Sequence, residues 1–197
     1  LIFDSVGYAD QVFQLVSRQE LSRTAGGQTF GKDLGPALWS AEYTTAPMTA
    51  DDALSFEASL NALNGVIGEF EAYDLRRPYP RAHADGDFAD EAEILSASGA
   101  KIALANLPEG FQLSPGDYLS LEVQGRRVLH QVVEAATSDS DGETGEFAVR
   151  PPPWPGTDEG APVTLKKPSC RLAMLPQSIT QKISGLYTTI SFKAGQV

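Results

Sequence analysis

The chain has 197 residues, 42% of them hydrophobic and 21% charged, and a formal net charge of −11. It is long enough to bury a real core in one large domain or two small ones, and too hydrophobic for a disordered chain. The acidic balance argues against a broad nucleic-acid-binding face, the single Cys170 excludes an internal disulfide framework or a multi-cysteine zinc site, and no apolar run reaches the roughly 18 residues of a membrane span.

The start, LIFDSVGYAD, lacks the basic n-region of a signal peptide, and Asp4 interrupts its apolar run. That pattern predicts a cytosolic, non-secreted product. Gln11–Arg18 alternates as a half-buried strand, with Val12, Leu15 and Val16 apolar, and Ala37–Thr45 carries the aromatics Trp39 and Tyr43. Between them TAGGQTFGKDLG is turn-rich. One stretch reads as a helix, TADDALSFEASLNALNG, over residues 50–64. Thr49 is a good N-cap, Asp51 and Asp52 complement the positive first turn, and Gly65 stands where a C′ glycine belongs. Ala53, Phe56, Leu60 and Leu63 make one apolar stripe, which predicts burial against the neighbouring strands, while Asn61 and Asn64 lie off it.

After the helix, Val66–Leu75 is a strand that runs into RRPYP. Pro78 and Pro80 cannot donate to a sheet ladder, so the strand ends in a stiff hook carrying Arg76 and Arg77, with Arg81 just beyond. RAHADGDFADEAE follows, an acidic and loosely patterned stretch taken as a linker over 81–92. From Ile94 onward hairpins recur at regular spacing. Lys101–Leu107, Tyr118–Val123, Val128–Ala135, Glu146–Arg150, Pro162–Lys166, Ser169–Leu175 and Ile183–Phe192 read as strands, separated by turns such as Pro115–Gly116 and by the rigid loop PPPWPG around Trp154. The class is mainly β: a β-sandwich with one α-helix, and a second, barrel-like or sandwich unit inserted into it. The expected division is 1–80 with 177–197 for the helix-bearing unit and 93–176 for the outer β unit.

Charge is unevenly spread along the chain. Residues 51–100 hold eleven acidic and three basic residues, whereas 160–197 hold five basic residues and no acid. The bland reading is a pair of strands whose lysines solvate exposed edges. The sharper one is two opposite faces that meet on neighbouring subunits, with Arg76, Arg77, Arg81, Lys166 and Lys167 facing Asp85, Asp87 and Asp90 of the next copy.

No catalytic constellation stands out. The sequence contains no G-x-S-x-G elbow, no H-E-x-x-H and no phosphate-binding glycine loop. His83 lies in the acidic stretch and His130 in mid-strand, where structural or solvent-facing roles are expected, and Cys170 in its apolar strand reads as a buried, inert thiol. Neither DGDFADEAE nor DSDGE fits the twelve-residue spacing of a helix–loop–helix calcium site, so no metal or other cofactor is assigned. Trp154 is a candidate outer-loop contact, for a protein or a sugar, or a lid on a barrel end.

Two stretches together resemble a family. SLNALNGVIGEFEAYDLRRPYP is similar to the helix-then-strand element of distal tail proteins at the tail tip of long-tailed bacteriophages. LPEGFQLSPGDYLSLEVQGRRVLHQVVEA, with GEFAVRPPPWPG and GAPVTLKKPSCRLAML after it, resembles a segment of phage and prophage minor tail proteins. Together they cover roughly residues 50–175. The resemblance implies a non-enzymatic virion protein, made in the host cytoplasm, whose copies form a hexameric ring joining the tail tube to tail-tip hub proteins. This chain departs from the family plan in carrying its second β unit before the final strands. The competing readings are a carbohydrate- or receptor-binding β module and a β-sandwich hydrolase with a carboxylate pair.

Overall fold

The computed structural model describes residues 6–197, so part of the segment read for a leader, Asp4 included, lies outside it. In chain order the elements are β1 (Tyr8–Val16), β2 (Gln19–Arg23), β3 (Thr29–Asp33), β4 (Leu38–Thr45), α1 (Ala50–Ala62) and β5 (Glu69–Ala72). They continue with β6 (Glu93–Ser98), β7 (Lys101–Ala105), β8 (Gln112–Leu113), β9 (Tyr118–Val123) and β10 (Arg126–Val132). The last are β11 (Ala136–Thr137), β12 (Phe147–Arg150), β13 (Val163–Thr164), β14 (Cys170–Met174), β15 (Thr180–Ser184) and β16 (Tyr187–Gln196). The protein is mainly β. No helix among the described residues is long and apolar enough to cross a membrane.

The chain divides into two compact units, Phe3–Glu69 with Leu172–Val197 and an inserted Phe70–Arg171. The chain crosses between them at 69/70 and 171/172, inside β5 and β14, whereas the sequence pattern had suggested 80 and 176.

In the helix-bearing unit, β4 lies between β1 and β16, all antiparallel, and β16 also pairs with β14 and with β15. β4 is buried at every second residue. Trp39, Ala41, Tyr43 and Thr45 therefore share the inner face, as the pleat of a one-sided sheet requires. Phe13 stacks on Trp39 with centroids 5.3 Å apart, and Tyr43 on Phe192 at 5.1 Å. The stripe of α1 closes this core, with Ala53, Phe56 and Leu60 buried and the Phe56 ring 6.2 Å from that of Phe192. Thr49 caps the helix by accepting a hydrogen bond from the Asp52 amide at 3.3 Å.

The other end of the helix differs from expectation in one residue. Leu63 is the C-cap, so the left-handed C′ position falls to Asn64 (φ 53°) and Gly65 (φ 65°) follows it. Gly68 then donates to the Leu63 carbonyl at 2.8 Å, and a Cβ at Gly68 would come within 2.3 Å of that oxygen.

Two further departures are hairpins. The stretch read as turn-rich contains β2 and β3, which pair with each other and, among the described residues, with no other strand. The single strand expected over Ile183–Phe192 is the hairpin β15–β16, which folds back at Gly185 (φ 64°), where a tight two-residue connection needs positive φ.

The barrel unit is a six-stranded sheet ordered β13-β9-β10-β12-β7-β6. Its two ends meet. Ile94 donates to the Ala161 carbonyl at 2.9 Å, Gly160 to that of Ile94 at 2.8 Å, and Val163 to that of Ala92 at 2.7 Å. Closure removes the open edges of the sheet. Inside lie Ile94, Ile102, Leu104, Leu119, Leu121, Val128, Phe147 and Val149, with Leu107, Phe111 and Leu113 from the connections.

Candidate functional site

The hook pairs Arg76 and Arg77 with two buried carboxylates of its own unit, while the Arg76 side chain stays 67% exposed. Asp74 is buried at the end of the strand. It accepts bonds from Arg76 at the backbone N–H (2.9 Å), Nε (2.9 Å) and Nη2 (2.7 Å), and from the Tyr118 hydroxyl at 3.1 Å. Burial by itself raises the Asp74 pKa, but the hydrogen bonds and charge of Arg76, with the Tyr118 bond, outweigh it and hold the carboxyl below its usual range. The Tyr118 hydroxyl accepts in turn from Gln131 Nε2 at 3.2 Å. Burial first, then the Asp74 charge, pushes this phenol up to about 12.

Asp117 is fully buried and sits in the Pro115–Gly116 turn. It accepts from Arg77 Nη1 at 2.6 Å, from the Arg81 amide at 2.9 Å and from the Ser114 amide at 2.7 Å. Two prolines stiffen the hook because it must present one guanidinium and one backbone N–H to a carboxylate forty residues away in sequence. A shallow pocket of about 220 Å³ opens over Asp74, Arg76, Arg77, Gly116, Tyr118 and Gln131. Both arginines of its lining are already paired, Arg76 with Asp74 of the lining and Arg77 with the buried Asp117 outside it.

The other residues singled out from the sequence also have local partners. Residues 81–92, expected as a linker, are built into the barrel unit. His83 stacks on Phe111 with centroids 3.9 Å apart, Phe88 meets both rings edge-on, and Ala92 is buried. Asp85 accepts from the Asp87 amide at 3.1 Å as a local turn, and Asp87 is exposed. The Asp90 carboxylate accepts from the Leu165 amide at 2.7 Å and the Lys166 amide at 3.3 Å. Lys166 Nζ stands 4.9 Å from the Phe88 ring centroid and Lys167 Nζ 5.7 Å from that of Tyr73. Trp154 is partly buried against the barrel core. In the DSDGE loop, Asp139 accepts from the Asp141 and Glu143 amides at 2.9 and 3.0 Å, stabilising its own turn.

The charge segregation seen along the chain does not divide a basic unit from an acidic one. The barrel unit carries seventeen acidic and ten basic residues, net −7, and the helix-bearing unit nine and five, net −4. Lys166, Lys167 and Arg171 share a unit with the acidic stretch, and Lys193 pairs with Glu42 at 2.9 Å.

His130 is fully buried on β10, on the same side as Val128 and Val132 of the barrel core. Its Nδ1 lies 2.7 Å from the Pro151 carbonyl, and its Nε2 has no hydrogen-bond partner. Burial drives its pKa down to about 4, against the opposing pull of the Pro151 bond. The imidazole is therefore neutral, with the proton on Nδ1. Burial likewise pushes the Cys170 thiol far up, away from reactive thiolate.

The features that sequence reasoning missed lie in the helix-bearing unit. Every residue of the β2–β3 ribbon is exposed, on both faces, including Leu21 and Phe30. An isolated two-stranded hairpin is marginally stable at best in water. A groove of about 330 Å³ runs beside α1, with Val6, Met48 and Phe56 as apolar lining and Asp52, Ser55 and Ser59 as polar lining. At the tip of β15–β16, Ile183, Leu186 and Tyr187 are also uncovered. The glycine pair of TAGGQTF marks a turn there, but QELSR and TFGKD on either side carry neither apolar alternation nor strong β-propensity to mark the strands.

Against models of known families and against curated proteins, the chain matches none.

Proposed function

We propose that this chain is a non-enzymatic structural protein of a bacteriophage tail tip, assembling as a homo-oligomeric ring between the tail tube and tail-tip hub proteins. The observation that carries the reading is the organisation of the chain. A helix-bearing β unit is made from both ends of the sequence, and a closed barrel unit is inserted between them. The resemblance over residues 50–175 implies a ring-forming unit with an outer β unit; two units are present here, but the second is inserted before the final strands rather than following them. The uncovered ribbon and hairpin tip of the helix-bearing unit support the ring reading, because apolar surface left bare on a monomer marks a contact. The hook lends that contact less support, since Arg76 and Arg77 pair with Asp74 and Asp117 inside the barrel unit. Ring membership fixes the number of copies by symmetry, a hexamer by the resemblance, through a heterologous contact that closes on rotation. The glycan-binding alternative draws less support, since Trp154 packs on the barrel core.

The test is negative-stain electron microscopy of the purified protein with light-scattering mass measured alongside. Rings of uniform diameter and a mass of several copies are expected. A monodisperse monomer at micromolar to millimolar concentration overturns the reading.

A further inference from the structure

We infer that Asn64 is a site of spontaneous covalent modification: the Gly65 backbone nitrogen attacks its side-chain amide, and the end of α1 converts with time to aspartyl and isoaspartyl forms. The inference concerns the folded chain itself and stands whether or not copies assemble.

The chemistry needs an amide side chain one residue before an unhindered, unengaged backbone nitrogen. Asparagine is a thermolabile residue, and the chain has three, Asn61, Asn64 and Asn106. Only Asn64 precedes a glycine, so no side chain crowds the attacking nitrogen. The fold then separates this pair from the other candidates. Around it Asn64 donates to the Asn61 carbonyl, Ile67 to that of Asn64 and Gly68 to that of Leu63. The Gly65 N–H is passed over and donates to no acceptor among the described residues. Ala62, after Asn61, lies inside α1, where the helix ladder holds its N–H. Leu107, after Asn106, donates to the Gly142 carbonyl at 3.1 Å. The two Asp-Gly pairs, which can close the same ring, have engaged glycines: Gly86 donates to His83 at 3.0 Å and Gly142 to Asp139 at 3.2 Å. Asn64 is exposed, and so are Val66 and Ile67 beyond it.

The step balances without an oxidant. The Gly65 nitrogen loses its proton to solvent and bonds to Asn64 Cγ; the Cγ–Nδ2 bond breaks and ammonia leaves, giving a succinimide. Water opens this ring at Cγ to give aspartate, or at the main-chain carbonyl to give isoaspartate, with the chain rerouted through Cβ and Cγ. Either product puts a carboxylate at the negative end of α1, whose last turn has no basic residue to offset it. The isoaspartyl form also adds a methylene to the loop closed by the 2.8 Å Gly68–Leu63 bond. That loop has no slack, since a Cβ at Gly68 would already collide with the Leu63 oxygen. The helix end therefore loosens as the protein ages, beside the opening lined by Leu60, Met174 and Leu175.

The experiment ages the full chain at mildly alkaline pH, folded and in parallel in denaturant. Peptide mass spectrometry locates the products, and an isoaspartyl methyltransferase labels the isoaspartate. In denaturant only local sequence acts, so the structural claim is read from the ratio of folded to denatured rates. Folded Asn64 is expected to convert within about tenfold of its denatured rate, whereas isomerisation at Asp85 and Asp141 slows by more, because each glycine must first give up a backbone hydrogen bond. Asn61 and Asn106 keep their amides. In the aged wild type, hydrogen exchange over residues 63–68 quickens; Asn64→Gly, which suits the left-handed backbone there, shows neither product nor change. Folded Asn64 protected as strongly as Asp85 and Asp141, or conversion first at Asn61 or Asn106, overturns the site. Ageing that leaves exchange over 63–68 unchanged overturns its effect on the helix.

Discussion

Phe56→Ala tests the packing of the helix most directly. The ring is 4% exposed, tilted against Phe192, which stacks in turn on Tyr43. Phenylalanine-to-alanine changes in cores cost about 3–5 kcal/mol, part from lost transfer of apolar surface and part from the residual cavity. Here the ring also lines the 330 Å³ groove, so the space it leaves joins an opening that water can enter. The cavity contribution shrinks, and the expected loss is about 3 kcal/mol, the lower end of that range. Leu60, fully buried on the same stripe, lines a separate opening of about 290 Å³ and has similar relief, so its alanine variant is expected to cost about 2–3 kcal/mol, the lower part of the range for such changes. The two units need not unfold together, so a probe confined to one is required. Trp39 belongs to the helix-bearing unit and Trp154 to the barrel unit, and a Trp154→Phe background leaves Trp39 fluorescence as the reporter. For a unit of this size, 1 kcal/mol corresponds to about 4–8 °C in Tm, so Phe56→Ala should lower the Trp39 transition by roughly 12–24 °C. A shift in denaturant midpoint equivalent to less than about 0.5 kcal/mol, as exposed sites give, refutes the placement of the helix.

Stability of the barrel unit should depend on pH through His130. Its folded pKa of about 4 lies below the ordinary 6.5, so the unfolded chain binds the extra proton between those values. Stability is full above pH 6.5, falls as pH drops toward 4 by about 3 kcal/mol, and His130→Gln flattens that slope in denaturant melts. Asp74, held below its usual range, contributes in a separate window: its stabilisation is present above the unfolded value and is lost as pH falls through the lower folded one, so Asp74→Asn lowers stability at neutral pH and flattens the acid limb. Reversing the hook with Arg76→Glu and Arg77→Glu should destabilise the barrel unit, not dissociate intact copies, because a new carboxylate meets buried Asp117. A cost of about 3 kcal/mol is expected, at the low end for a broken buried pair since Arg77 is one-third exposed, and an unchanged Trp154 transition with altered mass would refute the internal role. Trypsin should cut first after Arg23, at the exposed turn of the ribbon, and leave Arg81, whose amide is bonded to Asp117, until later; an early fragment beginning at Ala82 would contradict this.

Sequence by itself determined what neighbours along the chain decide. The helix is legible because its cap, its acidic first turn and its stripe of Ala53, Phe56 and Leu60 act within a few residues of one another. β4 is legible because a one-sided sheet imposes a period of two on the side chains themselves, whereas β9 is buried on both faces at every residue but Glu122. The Pro78–Pro80 hook was visible as a stiff cationic turn, yet its purpose was not, since Asp117 is a partner forty positions on and nothing local marks the pair. The same limit applies to the segment 81–92. An acidic, weakly patterned stretch reads as a linker, but His83, Phe88 and Asp90 are bound by ring stacking and by backbone amides from Phe111, Gln112 and Leu165, far along the chain. Barrel closure is likewise a matter of tertiary structure: Ala92 and Ile94 pair with Gly160–Val163, and hydrogen bonds between backbones carry no side-chain code. The ribbon β2–β3 was hidden for the opposite reason. A strand buried on one face writes its burial into alternation, and this one, bare on both faces, had no burial to record.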